Sequence, residues 1–146
     1  MKDYEPAREL MLQIIRTRMA FRQALQRLLK RNNIDMTFEM LQVMNCLWSE
    51  QGVSQQVLAE KTVKDKACLT NLMCNLEKKG WIIRKESESD RRNRQVFLTP
   101  EGEAMSEFIL PLIREMYAQA GTLMGAEEIY TSTKQLRKLD EILNRL

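Results

Sequence analysis

Residues 66–99 read KACLTNLMCNLEKKGWIIRKESESDRRNRQVFLT, and this stretch decides the fold. Up to residue 79 its apolar residues recur at helical spacing, and Gly80 is a typical residue to end a helix. Residues 81–85 and 95–99 are rich in β-branched and aromatic side chains, which predicts two strands with a polar loop between them. The stretch therefore predicts a helix followed by a β-hairpin.

The residues before this stretch predict two more helices. Thr37 is a plausible N-cap for a helix that ends at Gln51-Gly52, and Ser54 caps a short helix over residues 55–61. About four residues then lead into the helix that starts near residue 66. A short helix, a tight turn, a second helix and a hairpin in succession form a winged helix-turn-helix.

Long helices flank this unit. Residues 6–31 predict a helix that is apolar on two strips, as expected for a helix that packs on its own domain and on a partner chain. Thr99-Pro100-Glu101 starts another helix, which we expect to kink at Pro111 and to end between residues 121 and 125. The apolar stripe from Leu136 to Leu146 predicts a last helix.

Amino-acid composition excludes several classes of function. The 146 residues suit one domain with appended helices, and they contain no histidine, which excludes Ser-His-Asp chemistry and His-ligated zinc. The three cysteines lack CxxC spacing, so no metal and no cofactor is expected. The net charge of +3 is unevenly spread, because residues 61–100 hold 10 basic and 5 acidic side chains. The basic segment is therefore the predicted hairpin and the helix before it.

The sequence predicts a cytoplasmic protein without a membrane partner. Its first residues mix charges and have no apolar core, unlike a signal peptide. The longest apolar run spans residues 108–113, whereas a bilayer needs about 20 residues.

The helix that starts near residue 66 has an unusual outer face. Small polar or uncharged side chains occupy its centre and lysines its rim, whereas a solvated helix usually carries Glu–Lys pairs. Such side chains allow close approach, and Thr and Asn can bond to base edges. We predict DNA contacts from this face: Lys64, Lys66, Ala67, Thr70, Asn71 and Asn75.

The tip of the predicted hairpin carries three arginines in four residues. Arginine on a protruding loop can enter a narrow minor groove or bind phosphates, and a neighbouring carboxylate can orient it. The alternative interpretation of these arginines is a run of solvent-exposed charges without a binding partner. The candidate residues are Asp90, Arg91, Arg92 and Arg94.

The segment Asp90-Arg91-Arg92-x-x-x-Val96-x-Leu98-Thr99-x-x-Gly102 resembles the wing signature of the MarR family of bacterial transcriptional regulators. Leu69-Thr70-x-Leu72-x-x-x-Leu76-Glu77-Lys78-x-Gly80-Trp81-Ile82 is similar to that family's recognition helix. The resemblance implies a homodimer built from the first and last helices with part of the fifth. It also implies that Arg92 reaches the minor groove and that Asp90 holds the Arg92 side chain in place.

Together these observations predict a mainly α protein with a small β-hairpin wing. Residues 36–100 form the winged helix-turn-helix, and residues 1–35 and 101–146 form the helical dimerisation region. The chain departs from the family at Asn71 and Asn75, where arginine is common. Because Asn favours adenine, we expect A-rich half-sites.

The resemblance also raises a small apolar or phenolic effector as a hypothesis. The residues placed to contact it are Met19, Met40, Met44 and Trp48, since thioethers line adaptable pockets well. Methionine at helical spacing is more often plain core. Cys68 and Cys74 lie on the recognition helix, and Cys74 is expected to face outward, where oxidation would block DNA docking.

The predicted function is a sequence-specific regulator, a repressor that binds a pseudo-palindromic operator in double-stranded DNA as a homodimer. Two alternatives are a winged-helix adaptor that binds proteins and a cysteine-based redox-responsive regulator. An enzyme is not expected, because a nucleophile motif and a phosphate-binding glycine loop are both missing.

Overall fold

The computed structural model describes residues 2–62, 65–86 and 93–146. Its elements are α1 (Glu5–Arg31), α2 (Phe38–Ser49), β1 (Val53–Ser54), α3 (Gln55–Thr62), α4 (Lys66–Lys78), β2 (Ile82–Lys85), β3 (Gln95–Leu98), α5 (Pro100–Met124) and α6 (Ala126–Arg145). This order confirms the predicted fold class, mainly helical with a small antiparallel wing. In the described ranges no helix is long and apolar enough to cross a membrane.

The predicted helix starts are confirmed by capping hydrogen bonds. The Thr37 hydroxyl accepts the Met40 amide at 3.2 Å, and the Ser54 hydroxyl accepts the Val57 amide at 3.1 Å. Thr99 accepts the Gly102 amide at 3.0 Å, with Pro100 as the first residue of α5. Each bond satisfies an amide that the first helical turn would otherwise leave unpaired.

The sheet has one strand more than the predicted hairpin. β2 and β3 pair antiparallel from Ile82 opposite Leu98 to Lys85 opposite Gln95. β1 pairs with the other edge of β3, with Val53 opposite Val96, so the strand order is β1-β3-β2. This third strand ties the residues before α3 to the wing.

The apolar core of the first part of the chain lies between α1, α2, α3, α4 and the sheet. Leu25 and Leu29 of α1 are buried, whereas Leu10, Ile14 and Ile15 in its first half are exposed. The side chains exposed by 2% or less in this region are Leu29, Val43, Met44, Leu47, Leu58, Leu69, Met73, Leu76, Ile82 and Val96. They come from helices and strands alike, so the sheet and α4 are held by one apolar cluster.

The chain divides into two compact units, Met1–Phe108 and Ile109–Leu146. The second unit contains the rest of α5 and all of α6, and α5 continues as one helix through Pro111. Gly125, with a φ of +100°, separates α5 from α6. Among the residues of α6, none is buried.

Candidate nucleic-acid interface

α4 is fixed at both ends. Asp65 is its N-cap, and its carboxylate accepts the Cys68 amide at 2.8 Å. The sequence interpretation missed this cap, although Asp before a helix is its usual signal. At the other end Gly80 has a φ of +78°, and the Gly80 and Trp81 amides donate to the Glu77 and Leu76 carbonyls. This is the Schellman pattern expected of a glycine after a helix.

α4 presents one polar face. Leu69, Met73 and Leu76 are exposed by 2% or less and lie in the core. The predicted contact residues that the structure describes on this helix, Ala67, Thr70, Asn71 and Asn75, are all exposed. The structure thus brings four of them together on one accessible surface. Lys64 lies outside the described residues, and so does the side chain of Lys66.

The wing tip is described only at its edges. Arg94 is exposed, and its carbonyl accepts the amide of Gln55, the first residue of α3, at 3.0 Å. Asp90, Arg91 and Arg92 lie outside the described residues. The strands β2 and β3 bring both ends of the tip next to each other, with Lys85 opposite Gln95.

Cys74 does not face outward as expected. It is half-buried, and its Sγ lies 3.4 Å from Nη2 of Arg84 on β2. The expectation was wrong because helical spacing alone ignores the strand that packs on this side of α4. Cys68 is exposed. On α2, burial raises the pKa of the Cys46 thiol, and the nearby positive charge of Lys61 lowers it by a smaller amount.

Arg84 was not singled out from the sequence, yet it joins three elements. Its Nε and Nη2 donate to the Glu77 carboxylate on α4, and Nη1 donates to Oε1 of Gln55 on α3 at 3.2 Å. The side chain is only 9% exposed. Arginine is rarely buried unless paired, and no local sequence signal marks such a pairing.

The turn after α4 packs directly on the start of α5. The Thr99 hydroxyl donates to the Gly80 carbonyl at 2.6 Å, and the Thr99 amide donates to the Trp81 carbonyl at 3.0 Å. A Cβ on Gly102 would overlap the Trp81 carbonyl oxygen. The Gly102 carbonyl in turn accepts the Trp48 indole N–H at 2.9 Å. The end of α4, the start of α5 and Trp48 of α2 are therefore in direct contact.

The four residues predicted to contact an effector have different surroundings. Met40 and Met44 of α2 are buried at 7% and 0% exposure, whereas Met19 of α1 is 57% exposed. Trp48 is partly buried and bonded to Gly102. In the described residues, no group of three or more Cys, Asp or Glu side chains could hold a metal ion.

A helix with an exposed polar face beside an antiparallel wing is the arrangement of a winged-helix DNA-binding domain. The model of the MarR family matches residues 36–93. The transcriptional regulator HosA of Escherichia coli O111:H- is 32% identical over 95 residues, which cover 64% of this chain and 70% of HosA. The chain belongs to the MarR family and is a DNA-binding transcriptional regulator.

Two solved structures share the fold. AbfR of Staphylococcus epidermidis, in its reduced form bound to DNA, has a TM-score of 0.78 at 23% identity and covers 98% of this chain and 99% of its own. NadR in complex with 4-hydroxyphenylacetate has a TM-score of 0.72 at 26% identity and covers 88% of this chain and 89% of its own. By their descriptions, AbfR is bound to DNA and NadR is bound to 4-hydroxyphenylacetate.

Proposed function

We propose that this protein is a homodimeric repressor that binds a pseudo-palindromic operator and is released by a small phenolic effector. The observation that carries the proposal is the exposed, uncharged centre of α4. An isolated solvated helix gains from charged pairs on such a face, whereas a helix in the major groove needs short side chains that can bond to bases. The segment that contains this face, residues 61–100, holds 10 basic and 5 acidic side chains, and its Lys64, Lys66, Arg91 and Arg94 supply the phosphate contacts.

The dimer is proposed from exposed apolar side chains at both ends of the chain. In α1, Leu10, Ile15 and Met19 are 45%, 58% and 57% exposed. In α6 and the residue that follows it, the exposed apolar residues are Tyr130, Leu136, Ile142, Leu143 and Leu146. Apolar surface in such quantity marks an interaction site. We assign residues 1–35 and 101–146 to the dimerisation region and 36–100 to the DNA-binding region.

In this dimer the two α4 helices enter successive major grooves, about 34 Å apart. Thr70, Asn71 and Asn75 read base edges there, and Ala67 allows close approach. Lys64 and Lys66 contact phosphates, as do Arg91 and Arg94 of the wing, and Asp90 orients Arg92 in the minor groove. Repression follows when such an operator overlaps a promoter.

The effector proposal draws on NadR, which is known in complex with 4-hydroxyphenylacetate. We place the effector beside Met19, Met40, Met44 and Trp48. Trp48 supports this placement because its indole bonds to Gly102, whose helix packs on the Gly80-Trp81 turn at the end of α4. A ligand that moves Trp48 therefore has a short, contiguous route to the recognition helix.

One experiment tests the whole proposal. Selection from random duplexes should return a pseudo-palindrome, and light scattering of the complex should give two chains per duplex. Adding 4-hydroxyphenylacetate should release the duplex. When the protein is present and 4-hydroxyphenylacetate is absent, transcription from a promoter that overlaps the operator should fall. A site lacking symmetry, or one chain per duplex, would refute the dimer. No duplex preference would refute the function, and retention of DNA would refute a phenolic carboxylate effector.

We expect Asn71→Ala to cost about 1–3 kcal/mol of operator binding and to relax specificity at one base pair. The amide of Asn71 can bond bidentately to adenine, whereas a methyl group cannot. Repeating the selection with the variant measures both effects. Thr131→Ala, an exposed change in α6, is the control and should select the unaltered site. An unchanged preference at every position in the Asn71 variant would show that another residue reads the base.

A further inference from the structure

Arg84 is a charged side chain held inside the DNA-binding region. Its guanidinium has three kinds of acceptor around it: the Glu77 carboxylate, Oε1 of Gln55 at 3.2 Å, and Sγ of Cys74 at 3.4 Å. With only 9% of the side chain exposed, it is shielded from the phosphates that the exposed lysines and arginines can reach. Its charge is therefore matched within the protein.

The acceptors of Arg84 come from different elements. Cys74 and Glu77 lie on successive turns of α4, Gln55 begins α3, and Arg84 itself sits on β2. A guanidinium is planar and donates in a fixed fork, so satisfying acceptors on two sides fixes its orientation. A buried charge that loses a partner is costly, so the arrangement resists alternatives. These contacts set where β2 lies against α4.

The position of β2 determines the position of the wing. Arg84 is opposite Val96 of β3, which is fully buried, and the wing tip starts two residues further along the chain. A strand pair that rotates about this point would move the tip far more than it moves the core. The polar cluster around Arg84 therefore controls the spacing between the recognition face of α4 and the wing.

We propose that Arg84 is a positioning residue for DNA binding. It does not contact DNA itself. It holds the wing at the distance from α4 that lets α4 occupy the major groove while the wing reaches the adjacent minor groove of the same duplex. This inference rests on the proposed function, because a wing without a groove to enter needs no fixed spacing.

The test compares Arg84→Met with Lys85→Met on the selected operator. Lys85 is the next residue, is exposed, and rests 5.2 Å above the Phe97 ring, so its replacement removes the same charge without touching the cluster. We expect Arg84→Met to weaken binding about 10- to 100-fold. In an Arg92→Ala background the same substitution should add little, because the wing contact that it misplaces is already gone.

Three further readouts separate positioning from loss of fold. Thermal unfolding should show that Arg84→Met remains folded at the assay temperature; if it does not, Glu77→Gln, which keeps an acceptor, is measured in its place. Arg84→Lys keeps the charge but not the forked donor geometry. Its affinity for the operator should lie between those of Arg84→Met and the unaltered protein. Hydroxyl-radical footprinting of the Arg84→Met complex should lose protection of the sugars that the wing covers and keep protection of the sugars on either side of the major groove that α4 occupies.

The outcomes are distinct. Full additivity with Arg92→Ala, or loss of every protected position together, would overturn the positioning role and leave a merely structural one. Equal binding by Arg84→Met and the unaltered protein would overturn this inference and leave the proposed function intact. If the unaltered protein selects no duplex, the proposed function fails and the positioning role fails with it.

Discussion

Replacing Arg92 by alanine is expected to weaken operator binding about 10- to 100-fold while the fold and the dimer stay intact. Arg92 belongs to the Asp-Arg-Arg segment at the tip of the wing, in a polar stretch between two strands. Arginine in a narrow minor groove gains from the enhanced negative potential there. Its loss removes that contact, and no core contact is expected to change because the tip contains no apolar residue.

The matched control is Arg114→Ala, which removes the same charge from an exposed position on α5. It should leave affinity nearly unchanged in a gel-shift titration. If Arg92 reads groove width, its loss should matter less on an operator whose A·T flank is replaced by G·C. An Arg92 variant that binds as tightly as the Arg114 variant would rule out the minor-groove role of the wing.

Gly102→Ala is expected to lower the free energy of unfolding by about 3 kcal/mol, the upper part of the range for overpacking. Glycine is normally a weak helix former, so alanine inside a helix should help. Here the new Cβ would overlap the Trp81 carbonyl oxygen, a backbone atom that cannot swing away as a side chain can. Relief requires α5 to shift from the turn that ends α4, which also strains the Trp48 bond.

Gly121→Ala provides the control in the same helix. A Cβ there meets only Cδ1 of Ile129 at 3.8 Å, an ordinary contact. We expect this variant to gain about 0.5–1 kcal/mol from helix propensity. Urea denaturation of both variants measures the two free energies of unfolding. A Gly102 variant as stable as the Gly121 variant would show that the start of α5 can move away from Trp81 at little cost.

The elements of the fold follow closely from local sequence. The predicted helix caps Thr37, Ser54 and Thr99 all make capping hydrogen bonds. They can be predicted from local sequence because each bond joins residues only three positions apart. β1 was missed because a two-residue strand has no periodicity, and its existence depends on pairing with β3 more than forty residues away. The outer face of α4 was predicted from helical spacing, but Cys74 was misplaced because Arg84 comes from another element.

The sequence by itself determined the order of helices and strands, the concentration of basic residues in 61–100 and the absence of histidine chemistry. Tertiary structure alone decided that the Arg84 side chain is almost enclosed and that a Cβ at Gly102 would overlap the Trp81 carbonyl. The Arg84 cluster joins α3, α4 and β2, and the Trp48–Gly102 bond joins residues 54 positions apart. Capping and periodicity act within a few residues, whereas burial and close backbone approach arise only when distant segments pack together.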